Sequence, residues 1–103
     1  MITINHYTTE YTGQAPREEW QLFENGIPWC KPAASEREAV AQAFEIWRYM
    51  TITQKVRAFR AYWNAKYAYD AWFVSVVDVA TGNTRDVELT LNPERVGGSV
   101  GPQ

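Results

Sequence analysis

Residues 46–69 read IWRYMTITQKVRAFRAYWNAKYAY, and this stretch decides the fold that the sequence predicts. It contains five basic residues and no acidic residue. The same stretch contains seven aromatic residues, namely Trp47, Tyr49, Phe59, Tyr62, Trp63, Tyr67 and Tyr69. Aromatic side chains at this density are typical of a well-anchored core, of a binding surface, or of both.

The segments on either side of this stretch are acidic. Residues 1–45 carry three basic and seven acidic side chains, and residues 70–103 carry two basic and five acidic ones. The whole chain has a formal net charge of −2 and a pI near 5.3. Its total charge therefore argues against general binding to nucleic acid, although a local basic surface could still contact phosphates.

The length of 103 residues predicts one domain. We expect residues 1–96 to form it, and residues 97–103, which are rich in glycine, to form a flexible tail. Cys30 is the single cysteine, so no disulfide can form within the chain. No apolar run approaches the length of a membrane span, and the N-terminus lacks the pattern of a signal peptide. These features predict a cytoplasmic protein that does not bind membranes.

Strands are predicted in the first third of the chain. Residues 2–8 alternate in polarity and contain several β-branched side chains, which favours a strand. Asn25-Gly26 is the preferred pair for a tight type I′ turn, so residues 20–31 predict a β-hairpin. Pro28 cannot donate a backbone hydrogen bond, and its arm of the hairpin is therefore expected at a sheet edge.

Two helices are predicted in the middle of the chain. Ser35 and Glu38 have the spacing of a capping box, and a helix is predicted over residues 36–50. After a short break at the β-branched residues around Thr51, a second helix is predicted over residues 53–68. The alternative is one bent helix through the whole stretch. Neither interpretation places a strand within residues 46–69.

Residues 72–91 predict a second hairpin. Residues 72–79 are apolar on both faces, as in a central strand, and a turn follows at Gly82. Residues 85–91 then alternate between apolar and polar side chains. Strands on both sides of a helical segment indicate an α+β fold. We expect a small antiparallel sheet, made of the N-terminal strand and the two hairpins, with both helices packed on one face.

Helical periodicity divides the second predicted helix into two faces. The inward face is expected to hold Ile52, Val56, Phe59 and Trp63. The outward face is expected to hold Arg57, Arg60 and Asn64, with Tyr62, Tyr49 and Lys66 as possible neighbours. These six residues are the predicted partner-binding site. The alternative to a binding site is purely structural: the aromatic residues belong to the core, and the arginines belong to an ordinary solvated surface.

The sequence offers little catalytic chemistry. His6 is the single histidine, and a structural or surface role is expected for it. No serine lies in a nucleophile-elbow motif, and no glycine-rich loop precedes a helix. His6 and Cys30 alone are too few for a zinc site. We therefore expect no catalytic residue, no metal and no cofactor.

The function predicted from these features is non-catalytic binding to another protein, whose identity the sequence does not give. Small domains with this size and composition occur among phage-encoded and accessory proteins, including inhibitors of bacterial defence complexes, although no motif is shared with them. The alternative is a nucleic-acid-binding domain that uses the basic, aromatic helix 53–68, and a small enzyme that uses His6 ranks last. A homodimer is also compatible with the aromatic excess.

Overall fold

The computed structural model describes residues 1–64 and 69–90, with the side chains of residues 1–62 and 71–90. The elements in this part of the chain are β1 (Ile2–Thr9), β2 (Arg17–Glu24), β3 (Ile27–Pro28), α1 (Glu36–Arg48), α2 (Ile52–Ala58), β4 (Arg60–Asn64), β5 (Tyr69–Asp78) and β6 (Thr84–Glu88). They form one mixed, mostly antiparallel sheet with the helices packed against it. The predicted α+β class is therefore confirmed. Neither described helix has the length and apolar character to cross a membrane.

Strand β5 is the centre of the sheet. Its residue Phe73 pairs with Arg60 of β4 on one side and with Glu88 of β6 on the other. Ser75 likewise lies between Thr3 of β1 and β6. Strands β1 and β4 therefore lie end to end along one edge of β5, while β6 occupies the opposite edge. The β1–β5 pair is parallel, and the other strand pairs of the described residues are antiparallel.

The first predicted hairpin is confirmed. Asn25 and Gly26 both have positive φ angles, of 52° and 81°, as a type I′ turn requires. Glu24 pairs with Ile27 across this turn, and β3 is the outermost strand on this side of the sheet. The expectation that Pro28 lies at an edge is thereby met. The N-terminal strand and the 72–91 hairpin are also present, with residue 91 outside the described residues.

The core lies between one face of the sheet and α1. Alternate strand residues supply Ile2, Ile4, Leu22, Val74 and Val76, and α1 supplies Ala39, Val40 and Ala43. Helix α1 begins where predicted, because the Ser35 hydroxyl accepts a hydrogen bond from the Glu38 backbone N–H at 3.2 Å. The opposite face of the sheet, which we call the open face, is not covered by a helix in the part of the chain described.

The second predicted helix is wrong beyond Ala58. Helix α2 spans only Ile52–Ala58, Phe59 adopts an extended backbone, and Arg60–Asn64 is a strand. The expectation of no strand within residues 46–69 is therefore wrong, and so is the alternative of one bent helix. Backbone pairing of β4 with β5 overrides the local preference for helix. Residues 65–68, at the end of the predicted helix, lie outside the described residues.

Candidate functional site

Helix α2 is a short helix whose start is fixed by a capping box. The Thr51 hydroxyl accepts a hydrogen bond from the Gln54 N–H at 3.2 Å, and the Thr51 N–H donates to the Gln54 side chain at 2.8 Å. These two bonds satisfy backbone groups that the first turn of a helix leaves without partners. The predicted break before the second helix is therefore real, and it separates α2 from the end of α1.

The outer side of α2 exposes large apolar side chains. Ile52 is 66% exposed and Val56 is 60% exposed, and both lie on one face of the helix, one turn apart. With Thr53 and Arg57 they line a shallow cavity of about 270 Å³. Tyr49, at the end of α1, is 79% exposed. We call these five residues the α2 surface.

The inward orientation predicted for Ile52 and Val56 is wrong. The buried residue of α2 is Ala58, which lies about 160° around the helix axis from Val56 at about 100° per residue. Phe59, directly after the helix, is buried in the core as predicted. The chain thus reaches the core through Ala58 and Phe59, and this anchoring turns Ile52 and Val56 toward solvent.

The charge around the α2 surface is positive. Lys55 lies with its Nζ 4.0 Å from the centroid of the Trp47 ring, which is a cation–π contact. Arg57 and Lys55 have no carboxylate partner among the described residues. Arg48 is different, because its Nη1 lies 3.2 Å from the Glu45 carboxylate. Among the described residues, Lys55 and Arg57 are thus the cations of this region that no carboxylate pairs with.

The structure divides the six predicted site residues instead of bringing them together. Tyr49 and Arg57 belong to the α2 surface. Arg60 and Tyr62 lie on β4, at the open face of the sheet, where they border a separate cavity of about 300 Å³. Asn64 also lies on β4, but its side chain is outside the described part, as is all of Lys66. The shared helical face of Arg57, Arg60 and Asn64 was predicted from a helix that ends at Ala58, so this face is wrong: Arg57 lies on α2, and Arg60 and Asn64 lie on β4.

Arg60 is engaged within the protein. Its Nη1 donates a hydrogen bond to Asp86 Oδ2 at 3.0 Å, and Asp86 Oδ1 accepts one from the Ser75 hydroxyl at 2.9 Å. This pairing offsets the charge that Arg60 would offer to a phosphate. The nucleic-acid hypothesis depended on a basic, aromatic helix over residues 53–68. Among the described residues this helix extends only to Ala58, and Arg60, one of its predicted cations, has an internal partner.

His6 lies beside a third cavity. Its ring stacks on that of Trp20 with centroids 4.4 Å apart, and its Nε2 lies 3.0 Å from Glu18 Oε1. The cavity of about 370 Å³ is lined by His6, Glu36, Val76, Asp78, Asn83, Thr84 and Arg85. The geometry that the enzyme hypothesis requires, a histidine near a carboxylate in a concavity, is present. The described residues contain no group of three His, Cys, Asp or Glu side chains placed to hold a metal ion.

Two tyrosines near the start of the sheet have perturbed acidities. The Tyr11 hydroxyl donates a hydrogen bond to Glu19 Oε1 at 3.1 Å, and this bond raises the pKa of Tyr11. Tyr7 donates to Gln21 Oε1 at 3.1 Å. Burial raises the pKa of Tyr7, and the negative charge of Glu19 raises it further. Both groups therefore hold their protons more tightly than an isolated tyrosine does.

The residues that the sequence interpretation missed are Ile52 and Val56, which it assigned to the core. A signal for the error was present after them, because Phe59, Ala61 and Trp63 alternate with Arg60, Tyr62 and Asn64. Such a period of two predicts a strand, and a strand there leaves only two turns of helix before it. No protein-family model, no curated protein and no solved structure matches this chain.

Proposed function

We propose that the protein is a small non-catalytic module that binds another protein through the α2 surface. The observation that supports this is the exposure of Ile52 and Val56, which share one helix face, with Tyr49 close by in the chain. Exposed apolar side chains grouped in this way mark interaction surfaces more often than singly scattered ones do. Burying them against a partner would contribute roughly 25 cal/mol per Å² of apolar area removed from water.

A protein partner fits the α2 surface better than a nucleic acid does. Its centre is aliphatic, whereas surfaces for single-stranded nucleic acid place aromatic rings for base stacking next to several phosphate-binding cations. Tyr49 and Arg57 at its border are of the residue types that dominate binding energy in protein–protein interfaces. The net charge of −2 would also repel a polyanion beyond the immediate contact.

Our proposal includes a cytoplasmic role as an inhibitor of a larger bacterial complex, of the kind that phages and accessory elements encode. This part is supported by analogy of size and composition, and by the single cysteine, which suits a reducing compartment. The non-catalytic part is supported by the contacts of His6, because stacking on Trp20 and bonding to Glu18 account for that residue structurally.

The test is affinity capture from a bacterial lysate on immobilised protein. We would compare the wild type with the double variant Ile52→Asp, Val56→Asp, and with Ile27→Asp as the matched control. Ile27 is 67% exposed, like Ile52, but it lies at the β2–β3 turn and outside the α2 surface. Circular dichroism would verify that all three proteins are folded.

We expect a protein that the wild type and Ile27→Asp both retain and that the double variant loses. If the wild type retains nothing at micromolar concentration, or if the double variant retains the same proteins, the α2 surface is not a protein-binding surface. Loss with all variants, including the control, would equally contradict the assignment of binding to α2.

A further inference from the structure

We propose that the ligand of the α2 surface is an acidic, apolar segment of a different protein; this inference rests on the protein-binding function proposed above. Such a segment would place aliphatic or aromatic side chains on Ile52 and Val56. It would present a carboxylate to Arg57, which lines the same shallow cavity as the two aliphatic residues.

The charge of the segment follows from which cations already have internal partners. Residues 46–62 contain four basic residues and no acid. Arg48 is paired with Glu45, and Arg60 with Asp86. Arg57 and Lys55 have no carboxylate partner within the described part of the chain. Of the described cations of this stretch, these two are therefore the ones to which we assign an acidic ligand. Interfaces are arranged so that potentials of opposite sign meet.

Of Lys55 and Arg57, we expect Arg57 to contribute more to binding of the acidic segment, because of its position. Lys55 already lies over the Trp47 ring at 4.0 Å, a contact that satisfies part of its charge. Arg57 follows Val56 directly and borders the cavity that Val56 lines. A carboxylate that follows an apolar side chain in the ligand could therefore meet the guanidinium, which binds carboxylates through two parallel hydrogen bonds.

A second copy of this chain fits the α2 surface less well. In a dimer with two-fold symmetry, the same surface patch faces itself. The cations that border the α2 surface, Lys55 and Arg57, would then lie close to their own copies without an acidic residue of 46–62 to offset them. Like charges juxtaposed in this way oppose association, which favours a different partner that supplies carboxylates.

The test is selection from a random peptide library displayed on phage, with the wild-type protein as target. Counter-selection uses the double variant Ile52→Asp, Val56→Asp, so that only peptides that require the α2 surface survive. We expect the selected peptides to combine apolar residues with Asp or Glu and to be depleted of Lys and Arg.

Synthetic versions of the best peptides then test the role of Arg57. We expect Arg57→Glu to weaken binding about tenfold or more, and we expect an increase in salt from about 50 mM to about 500 mM to weaken it as well. The matched control is Lys31→Glu, an equal change of charge at an exposed lysine outside the α2 surface, which should leave binding unchanged. A peptide with Lys in place of its acids should prefer Arg57→Glu over the wild type.

The outcomes separate this inference from the function on which it rests. Selected peptides that need Ile52 and Val56 but carry no excess of acids would overturn the acidic ligand and leave the protein-binding function standing. Selection that yields no peptide dependent on the α2 surface would remove both. Sedimentation of the wild type as a dimer, with Val56→Asp as a monomer, would identify a second copy as the occupant and overturn the proposal.

Discussion

Arg60 of β4 and Asp86 of β6 form an ion pair of 3.0 Å across the intervening strand β5. The two residues are 26 positions apart in the chain, and the sheet brings them together. Asp86 also accepts a hydrogen bond from Ser75 of β5, so the three strands are linked on the open face. Arg60, which the sequence predicted to contact a partner, thus forms an ion pair within the protein.

The Arg60–Asp86 pair is expected to stabilise the fold only weakly. Both side chains are partly exposed to solvent, and exposed pairs typically contribute about 0.2–1 kcal/mol. A double-mutant cycle with Arg60→Ala and Asp86→Ala should return a coupling free energy of unfolding in this range, which should decrease at high salt. In the control cycle, Arg57→Ala with Asp86→Ala, the coupling should be close to zero. Equal coupling free energies in the two cycles would mean that Arg60 and Asp86 do not interact more strongly than a pair of residues that are not in contact.

Two helical valines should respond differently to the same substitution. Val40 is buried in α1, whereas Val56 is 60% exposed in α2. Val40→Ala should lower the free energy of unfolding by about 2 kcal/mol, because it removes buried methyl groups and leaves a cavity. Val56→Ala should change it by less than about 0.5 kcal/mol. Chemical denaturation measures both values, and a large loss for Val56→Ala would show that its side chain is packed.

The Thr51 capping box should be measurable as stability. Thr51→Ala removes the hydroxyl that accepts from the Gln54 N–H, and about 1 kcal/mol of unfolding free energy should be lost. Thr51→Ser keeps the hydroxyl and should retain most of that stability. The comparison isolates the hydrogen bond from the loss of side-chain volume. If Ser and Ala behave alike at this position, the cap does not stabilise α2.

Tyr7 and Tyr11 should ionise at a higher pH in the folded protein than an isolated tyrosine does. The hydrogen bond to Glu19 raises the pKa of Tyr11 above its ordinary value of 10.0, and burial raises that of Tyr7. Tyrosinate absorbance can be followed as pH is raised. The part of the absorbance change that is missing in Tyr11→Phe should be one that occurs above the ordinary tyrosine pKa. Glu19→Ala should shift the Tyr11 component back toward its ordinary pKa, because it removes both the bond and the negative charge. A Tyr11 component that titrates at its ordinary pKa in the wild type would contradict the contact.

The same shifts predict how stability changes with pH. Because the pKa of each group is higher in the folded state, the unfolded chain loses these protons first as pH rises. The stabilisation is fully present below the ordinary pKa of 10.0 and is lost as pH rises through the folded-state values. The free energy of unfolding should therefore fall above about pH 10, and less steeply in the Tyr7→Phe, Tyr11→Phe double variant than in the wild type.

Features set by a few neighbouring residues were predictable from the sequence. Asn25-Gly26 requires positive φ angles, and the chain turns there with both. Ser35 can cap a helix whatever its surroundings, and α1 begins after it. The alternation in residues 2–8 marks a strand because each second side chain must be buried. Each of these signals is contained in a window of a few residues, so no knowledge of distant partners was needed.

The error in residues 52–64 arose because their structure depends on a distant segment. β4 is a strand because Arg60 and the residues after it pair with β5. The alternation in residues 59–64 is compatible with a strand, but the local sequence does not identify the partner strand. Once the helix was extended too far, its phase placed Ile52 and Val56 in the core. The candidate site was missed for the same reason, since exposure of those two residues follows from where α2 ends.

The parallel pairing of β1 with β5 has a consequence for synthesis of the chain. Thr3 pairs with Ser75, so one edge of β1 finds its neighbour only after the chain has been synthesised as far as β5. The β1–β2 pair can form early and pack against α1, but the second edge of β1 stays unpaired until β5 has been made. Such distant pairing slows folding and leaves an unpaired strand available to other nascent chains. We therefore expect this protein to be most vulnerable to aggregation during translation, before residue 78 has emerged.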